Sequence, residues 1–374
     1  MKFTVSSTEL LHALLSVSRA IPAKPSIPII ENFLFVLNGN RLEITATDLD
    51  LTLRTALTIN LVEEEGQIAV PAKLLTDSLK EFPELPLTFT AGNDGILEIK
   101  WQSGASKIPF SPAEEYPALP AIDEATSIRV EYPADILLHG LTTTIYAAAE
   151  DELRPVMNGV FFDMNTDGVT LVASDSHKLV SYTRTEIQAA EKCSFILPKK
   201  PANILKSLIG KYEGNISVIF NNKNACFAFE DSLLICRLVE GNYPAYRTVI
   251  PKNNTNKLVI NRREFLNAAK RVSVCSNQSA SYLKLSLSFN QLIISAQDTS
   301  FSVAAHEALP CQYDGDKMDI GFKSSFLIEV LSNLSFEEAS LELADPSRAA
   351  LILDAGEHNP CEEVCSLLMP VRLA

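Results

Sequence analysis

The densest run of reactive side chains is Ser174-Asp175-Ser176-His177, which sets hydroxyls, a carboxylate and an imidazole side by side. Such groups hydrolyse esters and amides when each hydrogen-bonds the next, but a triad is recognised by spatial geometry, and adjacency along a chain does not supply it. The aspartate also has a plainer explanation. It ends the string Leu171-Val172-Ala173-Ser174-Asp175, and similar strings end at Asp48 (Ile44-Thr45-Ala46-Thr47-Asp48) and at Asp298 (Ile294-Ser295-Ala296-Gln297-Asp298), with no histidine close by. Aspartate at the end of a strand readily accepts bonds from turn amides. A structural turn is therefore the reading adopted. A hydrolase using His177 is the alternative; it requires a deep pocket around His177 and three segments that do not superpose.

Other chemistry is sparse. No Gly-Lys-Ser/Thr phosphate loop occurs, so nucleotide hydrolysis has no visible apparatus. The five histidines are scattered and give no zinc spacing. The seven cysteines, Cys193, Cys226, Cys236, Cys275, Cys311, Cys361 and Cys365, are odd in number and include no Cys-x-x-Cys pair. That pattern argues against a disulfide framework and fits a reducing cytoplasm. No catalytic residue, metal or cofactor is expected.

The elements that would position these residues repeat. Thr8 to Ala20, Ala134 to Tyr146 and Arg263 to Val274 place apolar residues at three- and four-residue steps, the signature of an amphipathic helix. The third is preceded by Asn261 with Glu264 three residues on, a capping-box arrangement. The pairs beginning at Leu10, Leu137 and Phe265 stand 127 and 128 residues apart, and the three aspartates 127 and 123. A strand followed by a lysine-led helix recurs at Lys73, Lys200 and Lys323, again 127 and 123 apart. Three features in one register predict three homologous domains, since the unit is too long for an ordinary solenoid repeat. Alternating segments such as Leu283-Lys284-Leu285-Ser286-Leu287 read as half-buried strands. The expected fold is α+β: three domains, 1–121, 127–247 and 255–374, each with two helices packed on antiparallel sheets. Linkers are expected near 117–125 and 244–256.

The chain has 374 residues and a formal net charge of -14. No apolar run approaches the roughly 18 residues that span a bilayer, and the first residues, Met1-Lys2-Phe3-Thr4-Val5, carry no signal core. An acidic protein is at first sight a poor partner for nucleic acid. Positive charge is nevertheless grouped: Lys199, Lys200, Lys206 and Lys211 fall in one predicted helical segment, and Lys257, Arg262, Arg263, Lys270 and Arg271 crowd another.

Over essentially its whole length the sequence resembles the bacterial DNA polymerase III beta subunit. The resemblance rests on the opening Met1 to Val5, on Pro25-Ser26-Ile27-Pro28-Ile29 with Asn32, and on Asn158-Gly159-Val160. It rests also on Ser174 to Leu179, on Gly241-Asn242-Tyr243-Pro244-Ala245-Tyr246, and on the ending Leu368-Met369-Pro370-Val371-Arg372-Leu373. It implies a non-catalytic DNA sliding clamp of the clamp fold: a head-to-tail homodimer whose six domains close a ring around duplex DNA, independent of sequence. Such a ring tethers the replicative polymerase for processive synthesis. It also receives the clamp loader, other polymerases and repair proteins through short peptides; no membrane is involved. A ring answers the charge objection, because a topological link needs no tight grip on phosphate. A monomeric peptide-binding scaffold of the same fold is the second alternative.

Carried over residue by residue, the implied peptide cleft comprises Arg154, Met157, Ser174, His177, Leu179, Pro244, Arg247, Val249, Leu367, Met369, Pro370 and Arg372. Without the resemblance, Leu179, Leu367 and Met369 would read as plain core. Lys24 matches a loop position that contacts DNA, while Lys199, Lys200 and Arg271 are DNA candidates from charge alone. Ile108 and Phe110 match an edge strand at the dimer seam, and Val274 and Cys275 its partner region; intradomain core is the alternative for both. The sequence departs from the family at Ser176, where Gly is common, at Lys178, where Arg is common, and at Pro155-Val156. Ala374 extends past the usual terminal Leu.

Overall fold

The computed structural model describes every residue except 121, 123–126, 278–280, 357–358 and 374. Part of the expected linker at 117–125 (121 and 123–125), and the extra Ala374, therefore lie outside the described residues.

Three successive stretches share one order of elements. The first runs β1 (Lys2–Ser6), α1 (Ser7–Val17), β2 (Asn32–Asn38), β3 (Arg41–Thr47), β4 (Leu51–Thr58), β5 (Leu61–Glu64), β6 (Gly66–Pro71), α2 (Ala72–Lys80), β7 (Pro86–Ala91), β8 (Ile96–Trp101), β9 (Gly104–Pro109) and a short β10 (Ser111–Pro112). The second runs β11 (Ile128–Pro133), α3 (Ala134–Thr144), β12 (Gly159–Asn165), β13 (Gly168–Ser174), β14 (Lys178–Arg184), β15 (Cys193–Pro198), α4 (Lys199–Leu208), β16 (Asn215–Phe220), β17 (Asn224–Phe229) and β18 (Ser232–Arg237). The third runs β19 (Asn256–Asn261), α5 (Arg262–Ser273), β20 (Tyr282–Ser288), β21 (Gln291–Asp298), β22 (Val303–Pro310), β23 (Met318–Lys323), α6 (Ser324–Asn333), β24 (Glu338–Leu343), β25 (Ala350–Asp354) and β26 (Glu362–Leu368). Apart from the small additions β5 and β10, each is β-α-β-β-β-β-α-β-β-β. These are three homologous α+β domains.

The helices form where the apolar spacing placed them. Leu10, Leu14 and Val17 of α1 are buried, as are Phe265, Leu266, Ala269 and Val272 of α5. Asn261 caps α5, its side chain accepting from the Glu264 amide at 3.0 Å, which satisfies one of the orphan donors of the first turn. The basic clusters need correction. Helix α4 ends at Leu208, so Lys211 lies beyond it, and Lys257 sits on strand β19. Arg262 donates to the carbonyls of Phe336 and Leu331 at 2.7 and 2.8 Å, which makes it a structural clamp between segments.

By contacts the chain forms two compact units, Met1–Asp135 with Ser207–Leu238, and Ile136–Lys206 with Val239–Ala374. The first holds a five-stranded sheet, β5-β1-β7-β8-β9, and a nine-stranded sheet, β10-β6-β2-β3-β4-β18-β17-β16-β11. The second holds an eight-stranded sheet, β15-β12-β13-β14-β26-β25-β24-β19, and a four-stranded sheet, β22-β21-β20-β23. All neighbours are antiparallel.

Each long sheet is thus two half-sheets from successive repeats, joined edge to edge. The first join pairs β4 with β18, from Leu51↔Cys236 to Arg54↔Leu233. The second pairs β14 with β26, from Lys178↔Leu368 to Arg184↔Glu362. Joining satisfies backbone donors and acceptors that a free edge would leave open. In this scheme β9 stands where β18 and β26 stand, and β22 where β4 and β14 stand, yet β9 and β22 each end a sheet.

Candidate functional site

The joint between β14 and β26 brings together residues nearly 190 positions apart. Leu179 lies opposite Leu367 in register, and just beyond the strands the Met369 amide donates to the His177 carbonyl at 2.8 Å. Behind them sits an apolar cluster in which Leu179 and Leu367 join Val172, Tyr246, Leu351 and Cys365, all buried.

The turn before β14 is built by side-chain oxygens. Asp175 Oδ1 accepts from the amides of His177 and Lys178, both at 2.8 Å. The Ser174 hydroxyl donates to the Lys178 carbonyl at 2.8 Å and accepts from the Ser176 amide at 3.1 Å. Ser176 adopts φ 75°, the left-handed region that glycine enters most cheaply. The hydrolase reading fails on these facts. Ser174 spends its proton on a backbone carbonyl, Asp175 serves backbone amides, and the exposed His177 ring stacks on Phe326 at 5.7 Å.

Lys178 is the most heavily engaged residue of the turn. Its side chain is only 6% exposed, and its ammonium lies 2.7 Å from Asp175, 3.0 Å from Glu329 and 4.6 Å from the Phe326 ring centre. Burial opposes ionisation of Asp175, but the Lys178 ammonium and the two turn amides outweigh it and hold the carboxyl below its usual range.

The segment 244–256, expected as a linker, forms a wall. Tyr246 is buried and donates its hydroxyl to Asp163 at 2.8 Å. Arg247 donates to the Tyr246 hydroxyl at 2.9 Å and to Asp163 at 3.0 Å. Burial, reinforced by the Asp163 carboxylate, pushes the Tyr246 phenol up to about 12. Tyr243 stacks flat on Phe161 at 4.6 Å. Beside these, Val249 is 56% and Met369 39% exposed, so two apolar side chains face solvent at the rim. Arg154 bonds Asp151 at 2.8 Å and the Ser176 hydroxyl at 2.9 Å, and the Met157 amide donates to the Arg154 carbonyl.

Most expected cleft residues therefore gather around one apolar floor. Ser174, His177, Leu179, Leu367 and Met369 meet through strand register, Pro244, Arg247 and Val249 through the Tyr246 turn, and Arg154 through Ser176. Met157 is buried beneath the Arg154 turn, Pro370 is half-buried, and Arg372 is exposed past the bridge of Val371 to Gly321. Sequence reasoning missed Phe161, Tyr243, Tyr246 and Phe326 as site residues. The two tyrosines carried a signal, since paired aromatics in a polar linker need a surface to cover.

The other candidates lie apart. Lys24 is exposed between α1 and β2. Lys199 pairs with Glu150 at 2.7 Å and Arg271 with Glu307 at 2.9 Å, while Lys200 is exposed. Ile108 on β9 is 5% exposed and points into the core, so only its backbone faces the sheet edge; Phe110 is half-buried. Val274 is 83% exposed after α5, with Cys275 half-buried beside it.

Comparison with known proteins agrees with this architecture. Residues 1–120, 132–245 and 247–372 match the N-terminal, central and C-terminal domain families of the DNA polymerase III beta subunit. The beta sliding clamp of Haemophilus influenzae is 31% identical over 379 residues, covering 100% of both chains. The crystal structure of the DNA polymerase III subunit beta from Pseudomonas aeruginosa superposes with a TM-score of 0.94 at 25% identity over 100% of both chains. A sliding clamp from Bartonella birtlesii, solved bound to griselimycin, gives 0.92 at 28% identity over 100% of both chains. The chain belongs to the DNA polymerase III beta subunit family, whose members are processivity factors and not enzymes.

Proposed function

We propose that two copies of this chain close head to tail into a ring around duplex DNA and tether the replicative polymerase. The observation that carries the reading is the sheet scheme. Two of the three possible half-sheet joins, β4 to β18 and β14 to β26, are made within the chain. The third, β22 to β9, is not made within the chain, and we assign it to a second copy. Made twice, it completes six half-sheet joins with no joining strand left unpaired, and a heterologous contact that closes gives a ring. Ile108, Phe110, Val274 and Cys275 flank those two edges in our reading, and the domains run 1–121, 127–247 and 255–374.

A sliding ring needs cations that are held lightly. Lys199 is engaged by the exposed Glu150, and the exposed Arg271 by the half-buried Glu307; ion pairs open to solvent on one side are worth only about 0–1 kcal/mol, so each is readily exchanged for a passing phosphate. Together with Lys24 and Lys200 they are our DNA contacts. The cleft around Leu179, Leu367 and Met369 takes short peptides of polymerases, the clamp loader and repair proteins. Such work belongs in the cytoplasm, and no described helix is long and apolar enough to cross a membrane.

The test is topological. Binding by direct phosphate contacts falls with salt at a log–log slope near -0.9 per contact. A ring loaded on closed circular DNA is expected to persist in high salt and to be lost on linearisation, and the free protein to elute near twice 41.0 kDa. Equal salt loss from both DNA forms, or a monomer on gel filtration, overturns the reading.

A further inference from the structure

The outer face of the nine-stranded sheet carries a groove of about 600 Å³ that the clamp reading does not use. It crosses the joint of β4 with β18, the counterpart of the joint under the peptide cleft. Thr52 pairs with Ile235 there as Leu179 pairs with Leu367 in the other sheet. The floor is aliphatic, with Leu233 and Ile235 from β18 and Leu119 from the segment after β10. Arg54, whose guanidinium lies 3.6 Å from Glu43 in a solvent-facing pair, and the exposed Arg129 stand among its lining. Ser217 also lines it, and its hydroxyl is buried without a hydrogen-bond partner among the described residues.

These features ask for a particular occupant. The volume lies within the range of roughly 300–1,000 Å³ typical of ligand sites. An apolar floor favours aliphatic anchors, and no aromatic ring among the described residues lines it as Tyr243, stacked on Phe161, does in the cleft. Guanidinium groups match carboxylates in shape and charge, and two of them line a groove on a protein whose net charge is -14. We propose that this groove is a second peptide site, taking a short extended segment that carries aliphatic side chains and at least one carboxylate. The groove stands on its own residues and does not depend on what the cleft binds.

The probe is an acetylated octapeptide alternating leucine and aspartate, with a terminal benzophenone, added to the full-length protein carrying Met369→Asp to disable the cleft. Saturable crosslinking is expected, with adducts on strands β16 to β18. Ala228→Trp, which fills the middle of the groove, is expected to abolish it. Arg129→Glu, at an exposed position that leaves the core alone, should weaken binding about tenfold, as should replacing the peptide aspartates by asparagine. Ala228→Trp is read only if its melting profile matches the parent; Arg129→Glu and the asparagine peptide decide the matter otherwise. Adducts confined to residues 349–369, or unchanged binding by Arg129→Glu and by the asparagine peptide, overturn the proposal.

Discussion

The turn that leads into β14 and the turn that leads into β4 have the same backbone and different side chains. Thr47 repeats the bonds of Ser174, donating to the Leu51 carbonyl at 2.9 Å and accepting from the Leu49 amide at 3.1 Å. Asp48 repeats those of Asp175, accepting from Asp50 and Leu51 at 3.1 and 2.7 Å. Leu49 is left-handed at φ 82°, as Ser176 is at 75°. The Arg237 amide donates to the Asp50 carbonyl at 2.8 Å, where the Met369 amide donates to that of His177. These backbone features of the cleft corner are therefore scaffold shared by two joints. What differs is Asp50 for His177, Leu51 for Lys178, Arg237 for Met369 and Leu119 for Tyr246. If the cleft is a peptide site, it lives in those exchanges, and the aspartate that looked catalytic belongs to the scaffold.

The largest expected difference between the two corners is at Lys178. Removing one partner of a buried ion pair costs about 3–5 kcal/mol, because the remaining charge is left desolvated. Glu329 is 39% exposed and retains part of its hydration, so Lys178→Met is expected near the lower bound, about 3 kcal/mol. Leu51 occupies the same place with no charge to strand, and Leu51→Met should cost less than about 1.5 kcal/mol. Urea denaturation of the two variants measures both. Equal costs would show that Lys178 is not the anchor its contacts suggest.

Next in size is the rim. Truncating a central apolar anchor of a peptide interface costs about 2 kcal/mol or more. Met369→Asp should therefore weaken a fluorescent peptide copied from the polymerase tail by at least about thirtyfold. Arg237→Asp, at the matching place in the other joint, should leave that affinity unchanged. Anisotropy titration beside gel filtration separates a lost site from a lost dimer. Parent-like binding by Met369→Asp would remove the cleft assignment.

Much of this scaffold was legible in the sequence, for physical reasons. Helix periodicity and the turn aspartates are local signals, so their common spacing gave the three domains. The joints are not local: Leu51 and Cys236, or Leu179 and Leu367, meet only because two edges fuse, and no periodicity announces which edges. Charge along the chain also says nothing about the element that carries it, which is why Lys257 and Lys211 were assigned to helices they do not occupy. Tyr243 and Tyr246 were visible as part of a family motif, but their role as a wall depends on Phe161 and Asp163, some 80 residues earlier.

A titration discriminates the corners more finely. Asp175 is held below the ordinary value of 3.8 despite its burial, by Lys178 and the turn amides. A carboxyl depressed in the folded state stabilises above its unfolded pKa, and that contribution is lost as the pH falls through the lower folded value. Stability should therefore drop between the ordinary aspartate range and the acid below it, and Asp175→Asn should flatten that part of the profile. The loss is expected to be smaller than that of Lys178→Met, since the ammonium keeps Glu329. A profile unchanged by Asp175→Asn would show that other carboxyls set the acid limb.

The smallest effects concern the two left-handed residues. A non-glycine residue in this conformation costs roughly 1–2 kcal/mol, which glycine avoids at the expense of greater freedom in the unfolded chain. The net gain on substitution is therefore a fraction of that. Leu49 is 49% exposed, so Leu49→Gly gives up little burial and should raise stability by about 0.5 kcal/mol. Ser176→Gly relieves the same backbone but loses the hydroxyl that Arg154 bonds at 2.9 Å. That bond is charge-assisted but exposed, so it is worth at most about 1 kcal/mol, and the two terms should nearly cancel. Thermal melts of the two single variants and of Ser176→Gly with Arg154→Ala decide between strain and bonding. With the arginine gone, the glycine should stabilise the second corner as it does the first. If it still gives nothing, the corners are not the same scaffold, and the equivalence drawn between them fails at its most local point.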